Sequence, residues 1–284
     1  MRRWNKLGEV RPVVDIQVKE LTFGYTKSKP VLRGISLSFD GRSTAIIGQN
    51  GAGKTTFVKL LKGLLKPTGG DVLIDGQSTR ETTVASLAGK VGMVFQNPND
   101  QIFKSKVLDE VMFGPLNIGM SEGEAKEHAE AALALVGLCG RQQENPYDLS
   151  LCERKMVAIA SILAMDTGAV IFDEPTIAQD WRGRQTIGMI IRRLREQGRQ
   201  VIAILHDMDF VAEYFERTIV FAKGEVLLDG GTRAVFAEEE RLRAAYLEPP
   251  HVTQLCKSLG YQEVFLTAED FVKYVKEKNL QFER

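Results

Sequence analysis

The residues best suited to chemistry form a glycine-rich segment that reads Gly-Gln-Asn-Gly-Ala-Gly-Lys-Thr at positions 48–55. This spacing is that of a phosphate-binding P-loop, in which backbone N–H groups and a helix N-terminus face anionic oxygens. Lys54 can reach the β- and γ-phosphates of ATP, and the Thr55 hydroxyl can ligate Mg²⁺. The alternative is a glycine-rich turn that binds nothing, and the predicted strand before the loop and helix after it argue against that. The predicted nucleotide-binding residues are Gly48, Gln49, Asn50, Gly51, Ala52, Gly53, Lys54, Thr55 and Thr56.

A second candidate site is acidic and follows the apolar segment 170–172, where Asp173 and Glu174 stand together. A buried strand delivers the side chains at its carboxyl end to the edge of a parallel sheet, where α/β proteins bind ligands. Asp173 is suited to hold Mg²⁺, directly or through water, and Glu174 to polarise an attacking water. Such a pair alone would more often place negative charge at a helix N-terminus. The P-loop in the same chain favours the catalytic interpretation.

The elements that would position these residues alternate between strand and helix. We predict strands at 16–23, 35–39, 43–47, 71–74, 91–95, 169–172, 200–205, 218–221 and 225–228. A helix from Gly53 would place Phe57, Leu60, Leu61 and Leu64 at core spacing. We predict that residues from about 97 to 164 are largely helical. This stretch includes a helix that opens with a capping box of Ser121 and Glu124 and runs to about residue 136. A further helix is predicted at 181–197. A helical block therefore interrupts an α/β domain at 13–240. Residues 241–284 form a tail, with Pro249-Pro250 near its start.

Composition excludes several classes of protein. The 284 residues include 37 basic and 37 acidic side chains, so the net charge is zero and no excess of basic residues indicates nucleic-acid binding. Three widely spaced cysteines do not suggest a disulfide framework or a zinc site and fit a reducing cytoplasm. No run approaches the roughly 20 apolar residues of a membrane-spanning helix, and Met1 to Gly8 does not resemble a secretory signal. We therefore expect a soluble chain whose membrane role, if any, depends on a partner.

Two further polar residues end predicted strands, Gln96 after 91–95 and His206 after 200–205. With the P-loop, Asp173 and Glu174, they give five motifs whose order resembles that of the nucleotide-binding subunits of ABC transporters. The resemblance covers roughly residues 13–240. It implies an α/β P-loop NTPase core of the ABC type with an antiparallel β subdomain, an inserted α-helical subdomain at about 97–165, and a small C-terminal extension.

The same resemblance implies roles for three residues. Tyr25 would stack on adenine, Gln96 would contact Mg²⁺ or the lytic water, and His206 would hold the γ-phosphate. Taken singly, Tyr25 would more often be a core aromatic residue and His206 a core histidine or helix cap. The order of the five motifs favours the functional roles.

The chain departs from the family at the signature, where Leu-Ser-Gly-Gly-Gln is expected and Leu149-Ser150-Leu151-Cys152-Glu153 stands. Side chains at positions 151 and 152 should hinder close approach of backbone N–H groups to a phosphate. A phosphate-facing Glu153 at about 6 Å would be repelled by roughly 3 kcal/mol at an effective dielectric near 20. The alternative is that Ser150 and Glu153 form a capping box, with Glu153 turned back onto the backbone.

In the family, two subunits close head to tail, and each P-loop meets the other subunit's signature. The segment 176–180, here called the dimer loop, also departs from the usual Gly-Leu-Asp ending and keeps only Asp180. A homodimer would contain two impaired sites. We therefore hypothesise a heterodimer in which this chain's P-loop works with an intact partner signature, while the site that Leu151 and Cys152 complete turns over slowly.

Segments 95–103 and 109–114 and the tail resemble the ATPases of energy-coupling factor (ECF) transporters, which are related to cobalt-uptake ATPases. This implies uptake of a vitamin or transition-metal micronutrient, with a transmembrane coupling subunit and a substrate-binding membrane subunit. The chain would then lie peripherally at the cytoplasmic face of the membrane. The tail would contact the dimer partner, or it is a simple helical appendage.

Two other classes remain open. A soluble ABC ATPase acting on DNA or ribosomes would be expected to carry basic patches, coiled-coil insertions or two fused ATPase halves. A P-loop kinase would lack the histidine after the last core strand and would need an acceptor-binding lid.

Overall fold

The computed structural model describes residues 13–26 and 29–282, with side chains to residue 278. The expectation for Met1 to Gly8 therefore lies outside the described residues. Within the described part, no helix combines the length and the apolar character that crossing a membrane requires.

Ten strands and eleven α-helices make up the described chain. The strands are β1 Ile16–Phe23, β2 Leu32–Phe39, β3 Thr44–Ile47, β4 Gly69–Ile74, β5 Gln77–Ser78, β6 Val91–Val94, β7 Ala169–Asp173, β8 Gln200–Ile204, β9 Arg217–Ala222 and β10 Glu225–Gly231. The helices are α1 Lys54–Leu61, α2 Val84–Ala88, α3 Val107–Asn117, α4 Glu122–Leu135, α5 Leu151–Ala164, α6 Trp181–Glu196, α7 Met208–Tyr214, α8 Thr232–Ala237, α9 Glu239–Ala244, α10 His251–Ser258 and α11 Ala268–Phe282.

The strands form two sheets. One has the order β10-β9-β3-β8-β7-β6, in which β9, β3, β8, β7 and β6 run parallel and β10 is antiparallel to β9. The other is antiparallel, with the order β2-β1-β4-β5. Strands β3, β6, β7 and β8 are buried along their whole length, which explains their continuous apolar sequences.

Two hydrophobic cores cover the opposite faces of the parallel sheet. Successive residues of a strand point to opposite faces, so Ile171 of β7 joins the core shared with the antiparallel sheet and α1. Phe172 joins the other core, which includes the packed helices α3, α4 and α5. Those three helices stand between β6 and β7 in the sequence and form the helical block. The predicted capping box of Ser121 and Glu124 opens α4, as expected.

Two details differ from the sequence-based expectations. Leu64 was predicted to be in the core but is 38% exposed, because α1 ends at Leu61 and Gly63, at a φ of 77°, turns the chain. The start of the tail also packs against the α/β domain more closely than its sequence indicates. Leu242 is fully buried and Leu247 nearly so, both in the same core as α3–α5. The domain boundary at 240 stays a prediction.

Candidate functional site

The P-loop connects β3 to α1, as the sequence predicts. Gly48 has a φ of 150°, and a Cβ there would lie 2.3 Å from the carbonyl oxygen of Phe221. Gly53 has a φ of 98°, and a Cβ there would lie 2.6 Å from Cδ2 of Leu32. Both positions therefore need glycine, since any side chain would clash and would strain the backbone. The loop can curve closely enough for its N–H groups to surround a phosphate.

Lys54 crosses the mouth of this loop. Its Nζ donates to the carbonyl oxygens of Gly48 at 2.6 Å and Gln49 at 3.0 Å, and the side chain is buried. Burial lowers the pKa of Lys54, while the charges of Glu174 and Asp173 act in the opposite direction. The ammonium is therefore held where an incoming anionic group would stabilise its charge.

Asp173 ends β7 next to the start of α1. The Thr55 hydroxyl donates to its Oδ1 at 3.4 Å. Burial, and after it the charge of Glu174, raises the pKa of Asp173. A cation beside this carboxylate would offset both effects, and carboxylate and hydroxyl oxygens are the ligands that Mg²⁺ prefers. The Asp173 carboxylate and the Thr55 hydroxyl fit a Mg²⁺ that is bound through one or two carboxylates together with the phosphates of a nucleotide.

Glu174 contacts two polar side chains that follow the strands on either side of β7. Its Oε2 accepts a hydrogen bond from Nε2 of Gln96 at 2.8 Å, and its Oε1 lies 3.0 Å from Nε2 of His206. Gln96 and His206 each lie two residues beyond β6 and β8, and Glu174 lies directly after β7 between them. Glu174 itself has a φ of 49°, a region that costs a non-glycine residue roughly 1–3 kcal/mol. The sheet edge thus fixes one carboxylate between two polar side chains.

The P-loop and the acidic sheet edge share one cleft of about 370 Å³. Its lining comprises Val31, Asn50, Gly51, Gly53, Lys54, Thr55, Thr56, Gln96 and Glu174. Gly48, Gln49, Asn50 and His206 line a second cleft, to which Tyr246 to His251 also contribute. Val31 was not predicted from the sequence; an isolated valine ahead of a strand carries no distinguishing signal.

Tyr25 lies close to the cleft without lining it. Its side chain is 64% exposed, and its hydroxyl lies 3.3 Å from Oγ1 of Thr56. Its ring packs edge-on against Phe23, with 5.0 Å between the centroids. An exposed ring face beside Thr56 is compatible with stacking on a base, and that role stays a prediction.

The signature segment adopts the alternative that the sequence left open. Ser150 caps α5, and the Oε2 atom of Glu153 accepts from the backbone N–H of Ser150 at 2.9 Å and from its hydroxyl at 2.7 Å. These hydrogen bonds lower the pKa of Glu153, and Arg141 lies 3.4 Å from its other oxygen. The arrangement in which Glu153 faces a phosphate is therefore wrong for this structure. Leu151 remains 48% exposed at the start of the helix, where the family has glycine.

The signature segment also contacts the dimer loop of the same chain. The Cys152 thiol donates to the carbonyl oxygen of Ala178, and Nε2 of Gln179 donates to the carbonyl oxygen of Cys152 at 3.3 Å. Asp180 caps α6, with its Oδ1 accepting from the N–H of Gly183 at 2.7 Å. The two segments that depart from the family pattern thus touch each other.

Comparisons with known proteins identify the family of this chain. The family model described as ABC transporter matches residues 32–177. A protein of Pyrococcus furiosus described as an ABC transporter ATP-binding protein is 44% identical over 249 residues, which cover 88% of this chain and 95% of the relative. The energy-coupling factor transporter ATP-binding protein EcfA of Methanothermobacter thermautotrophicus is 37% identical over 90% of this chain and 84% of its own length.

Solved structures share the fold. CbiO1 of Clostridium perfringens, described as part of the ABC transporter complex CbiONQ, superposes with a TM-score of 0.70 at 32% identity, over 85% of this chain and 98% of that one. MJ0796, a dimeric ABC cassette bound to ADP and phosphate, gives 0.70 at 28% identity over 77% and 99%. The predicted fold class is confirmed. The chain belongs to the ABC transporter family as an ATP-binding subunit that hydrolyses ATP.

Proposed function

We propose that this chain is one ATPase half of an ECF-type ABC importer and powers uptake of a vitamin or transition-metal micronutrient. The relatives that support this are EcfA, which is named for such a transporter, and CbiO1, which is part of a transporter complex. The observation that carries the mechanism is Glu174, buried beside the P-loop and held by Gln96 and His206.

ATP would place its phosphates on the backbone N–H groups of residues 48–55. Lys54 would leave the carbonyl oxygens of Gly48 and Gln49 to donate to the β- and γ-phosphates. Thr55 and Asp173, with Gln96 as a further candidate, would hold Mg²⁺, which when bound neutralises charge on the phosphates. Tyr25 would stack on the adenine.

Hydrolysis would depend on Glu174 as the group that orients and polarises the attacking water. His206 and Gln96 now occupy both of its oxygens. A γ-phosphate within reach of His206 would compete for the imidazole and release Oε1 toward the water. Glu174 would thus become available as a base when the γ-phosphate engages His206.

A second ATPase subunit is needed to complete the site. The signature segment of this chain presents Leu151 and Cys152 where close backbone approach to a phosphate requires glycine. A heterodimer therefore fits better than a homodimer, with Asp180 and the tail as candidate dimer contacts. A transmembrane coupling subunit and a substrate-binding membrane subunit would complete the transporter at the cytoplasmic face of the membrane.

Affinity purification of a Glu174→Gln variant from membranes with ATP and Mg²⁺ tests this function. The variant keeps the shape of the carboxylate without a base, so we expect it to stop turnover and trap the closed dimer with hydrophobic membrane subunits. Glu196→Gln, an exposed change at the end of α6, should behave as the unaltered chain. Wild-type turnover by Glu174→Gln would refute the catalytic role. Capture of ribosomes or DNA in place of membrane subunits would support the soluble ABC ATPase.

A further inference from the structure

Lys155 is a buried cation in the middle of the signature helix α5. Its side chain is 2% exposed, and burial lowers its pKa to about 8. Burying an ammonium group is costly unless its donors are satisfied. Nζ of Lys155 donates to the carbonyl oxygen of Phe95 at 2.8 Å and to that of Gln96 at 2.6 Å. The cost is therefore offset by contacts to one short segment, directly after β6.

That segment leads to the reacting centre. Gln96, whose carbonyl oxygen Lys155 binds, donates through its own side chain to Glu174. Gln101 adds a second tie, because its Oε1 accepts from the N–H of Phe95 at 3.1 Å and its Nε2 donates to the carbonyl oxygen of Ala158 at 2.8 Å. A continuous chain of contacts thus runs from α5 through Lys155 and the backbone of Gln96 to the carboxylate of Glu174.

We propose that Lys155 is a positioning residue for ATP hydrolysis, which fixes the backbone of Gln96 and thereby the direction of its side chain toward Glu174. The inference rests on the proposed roles of Gln96 and Glu174. Because Lys155 belongs to the helix that opens with Ser150, a shift of that helix moves Gln96 with it. A movement of α5 would then change the position of Gln96 relative to Glu174, the proposed general base of the same subunit.

Lys62 supplies a matched control, because it contacts the other end of β6. It is also a buried lysine whose pKa burial lowers to about 8, and it donates to the carbonyl oxygen of Val91 at the opposite end of β6. Lys62 does not line the cleft. Loss of either lysine removes a hydrogen-bond donor from backbone carbonyl groups at one end of β6, but of the two only Lys155 binds Gln96.

The test is a double-mutant cycle in the purified transporter complex, with radiolabelled ATP so that slow turnover can be measured. Lys155→Met should lower kcat roughly tenfold or more, the effect expected from losing a hydrogen bond to a charged group, with little change in KM. In a Gln96→Ala background, Lys155→Met should cause no further loss. Lys155→Arg, which keeps the charge and the donors, should recover part of the activity. Lys62→Met should change kcat by the same factor in both backgrounds.

Independent, multiplying effects of Lys155→Met and Gln96→Ala would overturn the inference, as would an unchanged kcat. If Lys155→Met does not fold, as judged by thermal unfolding, the same cycle with Lys155→Gln decides the question. Glu174→Gln distinguishes failure of the proposed catalytic role from failure of the positioning role. If this variant turns over ATP like wild type, the proposed catalytic role of Glu174 fails; if it is inactive while the Lys155 and Gln96 effects multiply, only the positioning role fails.

Discussion

At the scale of single residues, the site is a set of polar groups that satisfy one another before any ligand arrives. Lys54 binds its own loop, Thr55 binds Asp173, and Glu174 binds Gln96 and His206. The sequence predicted Lys54, Thr55, Asp173 and Glu174 from their motifs, and Gln96 and His206 through the resemblance to the ABC family. It could not predict Lys155, because a lysine within a helix normally reaches solvent, and only the folded structure shows that its ammonium group binds the carbonyl oxygens of Phe95 and Gln96.

Replacing His206 should slow ATP hydrolysis. His206→Ala removes a partner of Glu174 and the proposed donor to the γ-phosphate, so we expect kcat to fall by roughly 100-fold or more, as for loss of other donors to developing charge. His128→Ala is the control, since His128 bonds the carbonyl oxygen of Ala164 within the helical block. Steady-state ATP turnover distinguishes them. An unchanged kcat in His206→Ala would show that the imidazole does not serve hydrolysis.

At the scale of elements, the sequence predicted nine of the ten described strands and the helices α1, α4 and α6 to within about three residues, because buried parallel strands and capped helices have distinctive patterns. Strand β5 and helices α2 and α7 to α10, none longer than eight residues, were not predicted. β7 and α5 illustrate this: one is a continuous apolar run, and the other opens on the capping box of Ser150 and Glu153. What the pattern could not decide was which way Glu153 turned. In the structure the backbone N–H and the hydroxyl of Ser150 hold its Oε2, and Arg141, from the loop before α5, lies 3.4 Å from its other oxygen.

Lys62, the residue after helix α1, should make the free energy of unfolding depend on pH. The unfolded chain keeps the Lys62 proton up to about pH 10.5, while the folded chain releases it near pH 8. Between these values the unfolded state binds more protons, so raising the pH favours the folded state. Relative to Lys62→Met, wild type should therefore gain up to about 3 kcal/mol of unfolding free energy from pH 8 to 10.5, at roughly 1.4 kcal/mol per pKa unit.

Chemical denaturation at several pH values measures this difference. A Lys62→Met difference that does not vary with pH would contradict the prediction, because the buried amine of Lys62 would then keep an ordinary proton affinity.

At the scale of the whole molecule, the tail is joined to the ATPase core more closely than its sequence indicated. The N–H of His251, at the start of α10, donates to Asp209 of α7 at 2.9 Å, and its ring contacts the same carboxylate. The intervening residues 246–250 line the cleft that contains His206. Sequence periodicity could not reveal this, because the buried residues after 240 are too few and too widely spaced to form a pattern.

For the whole molecule, we propose that this chain carries a P-loop that supports hydrolysis and a signature that does not, and therefore needs a partner subunit. The most direct test is ATP turnover by the isolated chain, before and after its signature is restored with Leu151→Gly, Cys152→Gly and Glu153→Gln. Glutamine preserves the capping box with Ser150, so the helix should still form. We predict slow turnover by the wild-type chain, at least roughly tenfold faster turnover by the restored chain, as for one recovered phosphate-binding donor, and none when Glu174→Gln is added. Brisk hydrolysis by the isolated wild-type chain, equal to that of the restored one, would contradict the account.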